Sequence, residues 1–197
     1  MSILYIYDYY PPHIGGAEVL YSKIAEHFAN KHIVTVLTQR LPGYASEEII
    51  NNVRIVRVGS PVRVLFPFFA FFKGLSLARK ADIIQTSLYS AAVLTWFLSF
   101  FTKAKRVFMT LEVIGEKWGT LLGLNPISAF FNKFAEGFAV TRKYDAYTPI
   151  SENTKSQLVQ LGIPEEKITR IYCGIDEVLF SPRAKDKDLQ NMLGIPK

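Results

Sequence analysis

Apolar runs rich in β-branched residues recur along the chain at 2–7 (SILYIY), 33–38 (IVTVLT), 53–58 (VRIVRV), 82–86 (DIIQT), 106–110 (RVFMT), 145–150 (DAYTPI) and 168–172 (ITRIY). Several are continuous instead of alternating, the pattern of parallel strands covered on both faces. Helical spacing appears between them. In AEVLYSKIAEHFAN, Leu20, Ile24 and Phe28 fall four apart with Tyr21 and Ala25 beside them, while Glu18, Lys23 and Glu26 occupy the other face. That is an amphipathic helix lying on a sheet. Strand and helix alternate through most of the chain, so the expected fold is α/β: a doubly wound, mostly parallel sheet with right-handed crossovers and helices on both faces.

Two stretches interrupt this order. VLFPFFAFFKGLSLARK (64–80) and AAVLTWFLSFFTKAKR (91–106) are aromatic-rich, and each ends in a basic cluster. A membrane-crossing helix needs about 20 apolar residues, and both are too short; Pro67 and Lys73 also break the first. Two readings stay open. Either both are core-facing helices, or one exposes phenylalanines beside Lys and Arg to an anionic bilayer surface.

Composition narrows the class. The 197 residues are 49% hydrophobic and 20% charged, with Gly and Pro spread through the chain, as in a globular protein with a sizeable core. A net charge of +6 and a pI near 9.3 suggest an anionic partner. Nucleic acid is not expected, because Lys and Arg are scattered in ones and twos without a recognised binding motif. The lone Cys173 excludes an internal disulfide and a cysteine-based zinc site. MSILYIYD has no basic n-region and carries Asp8 inside the apolar stretch, so a cytoplasmic location is expected over secretion. The ending DLQNMLGIPK, helix-like with no following strand, reads as a cut.

Candidate chemistry centres on PPHIGGAE (11–18), the turn between the first strand and the first helix. Open parallel sheets bind ligands at the carboxyl ends of their strands, near the switch in strand order. Gly15 and Gly16 lack a Cβ, so backbone N–H groups at the helix start can approach an anion with the helix dipole behind them. The pair can equally be a turn device, and neither G-x-G-x-x-G nor the P-loop pattern is present. His13 could act there as donor or base, or be an ordinary loop residue. His27 and His32 lie away from the strand ends, and no histidine has a partner at metal-ligand spacing, so no metal is expected.

Two segments carry a family resemblance. PPHIGGAEVLYSKIAEHFANKHIVTVLT resembles the opening of family 4 retaining glycosyltransferases, and PISENTKSQLVQLGIPEEKITRIYCGIDEVLFSP (149–182) is similar to the segment by which those enzymes leave their first domain. Together they cover about a third of the chain. The resemblance implies the N-terminal, acceptor-side half of a GT-B fold: a Rossmann-like domain at 1–182, with 183–197 leading toward a donor-binding half. It implies a nucleotide-sugar donor, a glycan or lipid-linked acceptor, transfer with retention, and a location in the cytoplasm or at the inner membrane face. No cofactor is implied in this half, and by itself it should not turn over. Gly15 and Gly16 would face the donor diphosphate, and Tyr9, His13, Glu18, Glu112 and Ser151 the acceptor cleft.

The departures are informative. MTLEVIG places Leu111 where relatives often have a histidine beside the reacting sugar, leaving His13 and Glu112 as catalytic candidates. Cys173 stands where relatives commonly have Asn and is expected to be a small buried thiol. Ser87 and Ser151 read as helix N-caps, and Glu18 as a favourable charge at a helix start. A lapsed binding module at a membrane or partner, and a GT-B sugar-nucleotide epimerase, remain the alternatives.

Overall fold

The computed structural model describes residues 1–59, 65–87, 90–178, 180–182 and 187–194. The aromatic stretches at 64–80 and 91–106 therefore lie almost wholly within it, whereas 183–186 and 195–197 of the expected linker lie outside. In chain order, β1 (Ser2–Ile6) leads to α1 (Gly16–Ala29) and β2 (Ile33–Gln39), then to the hairpin β3 (Glu47–Ile50) and β4 (Val53–Val58). Next come α2 (Phe66–Ala78), β5 (Ile83–Thr86), α3 (Ser90–Leu98) and β6 (Lys105–Thr110). Then follow α4 (Trp118–Leu122), α5 (Pro126–Val140), β7 (Ala146–Pro149), α6 (Glu152–Gln160) and α7 (Lys187–Met192). The described strands form one sheet in the order β3-β4-β2-β1-β5-β6-β7. Every pairing is parallel except β3 with β4.

Continuous apolar runs became central strands because both faces are covered. Leu4 and Ile6 pack beneath α2 and α3 with Leu37, Val56 and Ile84, while Ile3, Tyr5 and Tyr7 face α1 with Val34, Val36 and Ile55. The α2–α3 layer closes tightly: a Cβ at Gly74 would come within 3.2 Å of Leu37 and Leu98. On the other face the rings of Tyr7 and Tyr21 stack 3.8 Å apart. Burial pushes the Tyr7 hydroxyl far above its ordinary pKa, with the neighbouring tyrosines adding to the effect, so it stays protonated.

Three expectations need correction, and one strand was not foreseen. The hairpin strand β3 (EEII) is too short and too charged to announce itself, and it forms only because β4 offers an edge. The run 168–172 is not a regular strand; one bridge, Tyr147 with Ile168, and the amides of Thr169 and Ile171, which donate to the Tyr147 and Pro149 carbonyls, hold it against β7 before it continues along the surface. For that reason Cys173 is exposed, not buried. Glu18 is not on a solvent face either: α1 turns Tyr21 and Ala25 to the core, buries Glu18 with them, and leaves Phe28 40% exposed.

The aromatic stretches combine both readings offered by the sequence. α2 buries Phe66, Ala70, Gly74 and Ala78 yet leaves Phe68, Phe69 and Phe72 exposed. Among the described residues no helix is long and apolar enough to cross a membrane.

Candidate functional site

All strands but β3 run parallel, so the segments that follow β1, β4, β5, β6 and β7 emerge at one edge of the sheet. The order reverses beside β1: β2 lies on one side and β5 on the other. The segment 9–16 thus leaves the sheet at the switch point, where an open α/β sheet binds its ligand.

Buried Arg57, at the end of β4, holds this segment from below. Its Nη2 donates to the Pro11 carbonyl at 2.9 Å, and its Nη1 pairs with Glu48 of β3 and donates to the Ala45 carbonyl. Above it, the His13 ring stacks on Tyr9 with centroids 4.4 Å apart, and its Nδ1 lies 3.2 Å from Glu18 Oε1. Tyr9, His13 and Glu18 therefore form one cluster at the foot of α1. His13 is tied to a carboxylate, an arrangement that orients an imidazole and selects its tautomer.

The two glycines have different reasons. Gly15 has an extended backbone (φ −162°, ψ 164°), and a Cβ there would strike the Glu18 carboxylate. It is a packing glycine. A Cβ at Gly16 would meet nothing within 4 Å, so a side chain there would have room. Neither adopts a positive φ, which removes the turn-device reading in its conformational form.

The helix starts at this edge also differ. The amide of Ala91 in α3 donates to Asp8 Oδ1 at 3.0 Å, an acceptor supplied by β1's own exit, while residues 88–89, through which the expected Ser87 cap would act, lie outside the described residues. α6 is capped by Ser151, whose Oγ accepts from Thr154 N at 3.1 Å. Gly15 gives α1 no side-chain cap, so among the described residues its first-turn amides have no side-chain acceptor.

The segment after β6 is built in the opposite way. Buried Glu136 of α5 accepts from Ile114 N (2.8 Å), Gly115 N (2.7 Å) and Trp118 Nε1 (3.1 Å). From α6, Gln157 donates to the Val113 carbonyl and Thr154 to that of Leu111. Leu111 packs against the tyrosine core, and Glu112 is exposed. Glu112 and Ser151 thus belong to the β6–β7 side; among the described residues no hydrogen bond or ion pair joins either to the Tyr9–His13–Glu18 cluster. Arg57 and Glu136 were not foreseen. Their only signal was a charge embedded in an apolar run, VRIVRV and FFNKFAEGFAV. No group of three or more His, Cys, Asp or Glu among the described residues is placed to hold a metal.

The model of Glycosyltransferase Family 4 matches residues 14–178, which includes the uncapped start of α1 and the whole of the β6–β7 side. The chain belongs to Glycosyltransferase Family 4. No curated protein matches it. Among solved structures, this family 4 chain is similar to HepE of Anabaena in complex with UDP-glucose, at 18% identity and TM-score 0.70, covering 98% of this chain and 50% of that one. It is similar to the sucrose-phosphate synthase of Thermosynechococcus elongatus at 16% identity and TM-score 0.74, over 99% and 53% of the two chains. A third match is the UDP-N-acetylglucosamine 2-epimerase of Rickettsia bellii, at 12% identity and TM-score 0.58, over 100% and 52%. At such identities these likenesses establish the fold, which is half of a GT-B architecture, and the chain spans about half the length of each.

Proposed function

We propose that this chain is the acceptor-side half of a retaining glycosyltransferase that moves a sugar from a nucleotide-sugar donor to a glycan or lipid-linked acceptor. The observation that carries the reading is the α1 N-terminus: amides without a side-chain cap, room at the Cβ position of Gly16, and a position at the switch point of the sheet. In glycosyl transfer, negative charge grows on the departing diphosphate. Fixed N–H donors and a helix dipole stabilise that charge without reorganising during the step. Gly16 provides the approach; Gly15 lets Glu18 fold back and hold His13 beside Tyr9. Residues 1–182 form this half, and 183–197 lead toward a half that binds most of the donor. The site belongs in the cytoplasm, at the inner membrane face when the acceptor is lipid-linked.

His13 and Glu112 divide the remaining roles at the acceptor. His13, oriented by Glu18, is the better-placed donor or base, while Glu112 and Ser151 border the cleft from the β6–β7 side. The isolated half does not turn over. The test is a donor-hydrolysis screen of the intact protein with UDP-, GDP- and ADP-sugars beside Gly16→Trp. Nucleotide released from one donor and lost in the variant supports the reading; equal release by both proteins removes the diphosphate role of α1.

One observation favours a second reading. Leu111 is packed into the tyrosine core, where it can neither accept nor donate a proton. A lapsed binding module would carry that change freely, and it would bind a nucleotide sugar without releasing nucleotide. The epimerase alternative has only the shared fold behind it.

A further inference from the structure

We propose that α5, together with the aromatic ends of α2 and α3, seats this domain on an anionic lipid bilayer. α5 is an amphipathic helix turned inside out. Its apolar stripe, Ile127, Phe130, Phe131 and Phe134, has the i, i+3, i+4, i+7 spacing that normally faces a core, yet each member is at least 64% exposed. The core side is carried by Glu136, Ala139 and Val140.

The stripe is not isolated. Phe130, Phe134 and Phe138 line an open groove of about 380 Å³ with Lys133 and Arg142 at its sides. Trp96 of α3 contacts Phe138 and Phe100, both at 5.3 Å, and Phe71 of α2 meets Phe101 at 5.9 Å. Aromatic contacts thus link α5 to α3, and the end of α3 to α2, beside several singly exposed phenylalanines.

Charge decides the occupant. The segments 65–81 and 90–106 contain no Asp or Glu, and the only acid in 126–143 is Glu136, which is turned inward. Lys73, Lys105, Arg106 and Lys133 are ion-paired with Glu47, Asp145 or Glu116. Arg79, Lys80, Lys103 and Lys143 form no ion pair with a described residue, and the Arg142 guanidinium lies 4.0 Å from the Phe138 ring centre. Phenylalanines with Lys133 and Arg142 beside them, on helices whose sequence is basic, match a surface that is anionic outside and hydrocarbon beneath. A second copy would bring like charges together. The helices lie in the interface plane, since none described can cross a bilayer.

Flotation of the intact protein with phosphatidylcholine vesicles, with and without phosphatidylglycerol, tests this. Binding is expected only to the anionic vesicles, falling with salt. The triple variant Phe130→Ser, Phe131→Ser, Phe134→Ser should lower the bound fraction about tenfold or more, with an unchanged thermal midpoint because those rings are already exposed. Lys103→Glu with Lys143→Glu should weaken binding while leaving every phenylalanine in place. Three results overturn the proposal: no flotation with either vesicle, equal binding by wild type and the serine variant, or self-association abolished by the serine variant without lipid binding, which assigns the surface to a second copy. Hydrolysis of a soluble donor needs no vesicle, so it distinguishes failure here from failure of the proposed reaction.

Discussion

The segments leaving β1 and β6 lie at the same sheet edge, yet they treat their backbone amides differently. After β6, Glu136 takes two amides and an indole N–H, and α6 donates to two carbonyls, so the segment is internally satisfied. After β1, Arg57 holds the Pro11 carbonyl, but among the described residues the first-turn amides of α1 have no side-chain acceptor. A buried polar backbone is normally paired within the protein. The difference teaches that one segment is braced internally while the other leaves donors unused by side chains, as the proposed diphosphate role requires.

The sharpest way to break this comparison is Glu136→Ala. It leaves three donors without their acceptor, and urea unfolding should show a loss of about 3 kcal/mol. Glu136→Gln, which keeps one acceptor oxygen, should lose roughly 1 kcal/mol. If alanine and glutamine cost the same, the carboxylate is not what braces the segment.

Arg57→Met comes next. It removes the support under Pro11 and leaves Glu48 unpaired, but the Glu48 side chain is 30% exposed and can be rehydrated. A loss of about 2 kcal/mol in the same measurement is expected, short of the figure for a fully buried pair.

The two glycines separate packing from ligand approach. Gly15→Ala should cost about 1 kcal/mol through its clash with Glu18. Gly16→Ala, in an open helical position, should raise stability by about 0.5 kcal/mol while lowering donor hydrolysis. Equal stability effects at the two positions would erase the distinction drawn between them.

The smallest effect is a pH control at the opposite edge of the sheet. Burial alone would raise the Asp145 carboxyl, but the Arg106 amide at 2.9 Å and Lys105 Nζ at 3.1 Å outweigh it and hold its pKa below the ordinary 3.8. A carboxyl depressed in the folded state contributes stability above its unfolded pKa and loses it as pH falls through the folded value. Asp145→Asn should therefore flatten the decline in stability below about pH 4 and leave both segments of the cleft unchanged, as thermal unfolding across pH would show.

Much of the sheet was legible because a parallel strand buried on both faces must be continuously apolar, and IVTVLT and RVFMT have no other comfortable home. β3 was not legible, since EEII is a strand only by pairing with β4. Of the site, the turn at 11–16 was read correctly as a strand exit into a helix, but its glycines looked equivalent. Only the folded position of Glu18 separates them. Glu112 and Ser151 lie on the β6–β7 side, and no hydrogen bond or ion pair among the described residues joins either to the cluster around His13.

By itself the sequence determined the alternation of strands and helices and the parallel sheet, because hydrophobic period and turn chemistry are local properties that survive in a one-dimensional pattern; the family was legible only through the resemblance of two segments, 11–38 and 149–182. Tertiary structure decided which charges are buried and which phenylalanines are not. Glu136 is a loop anchor, Arg57 a support and Phe130 a surface residue because of what lies across from each of them, and those neighbours come from distant parts of the chain.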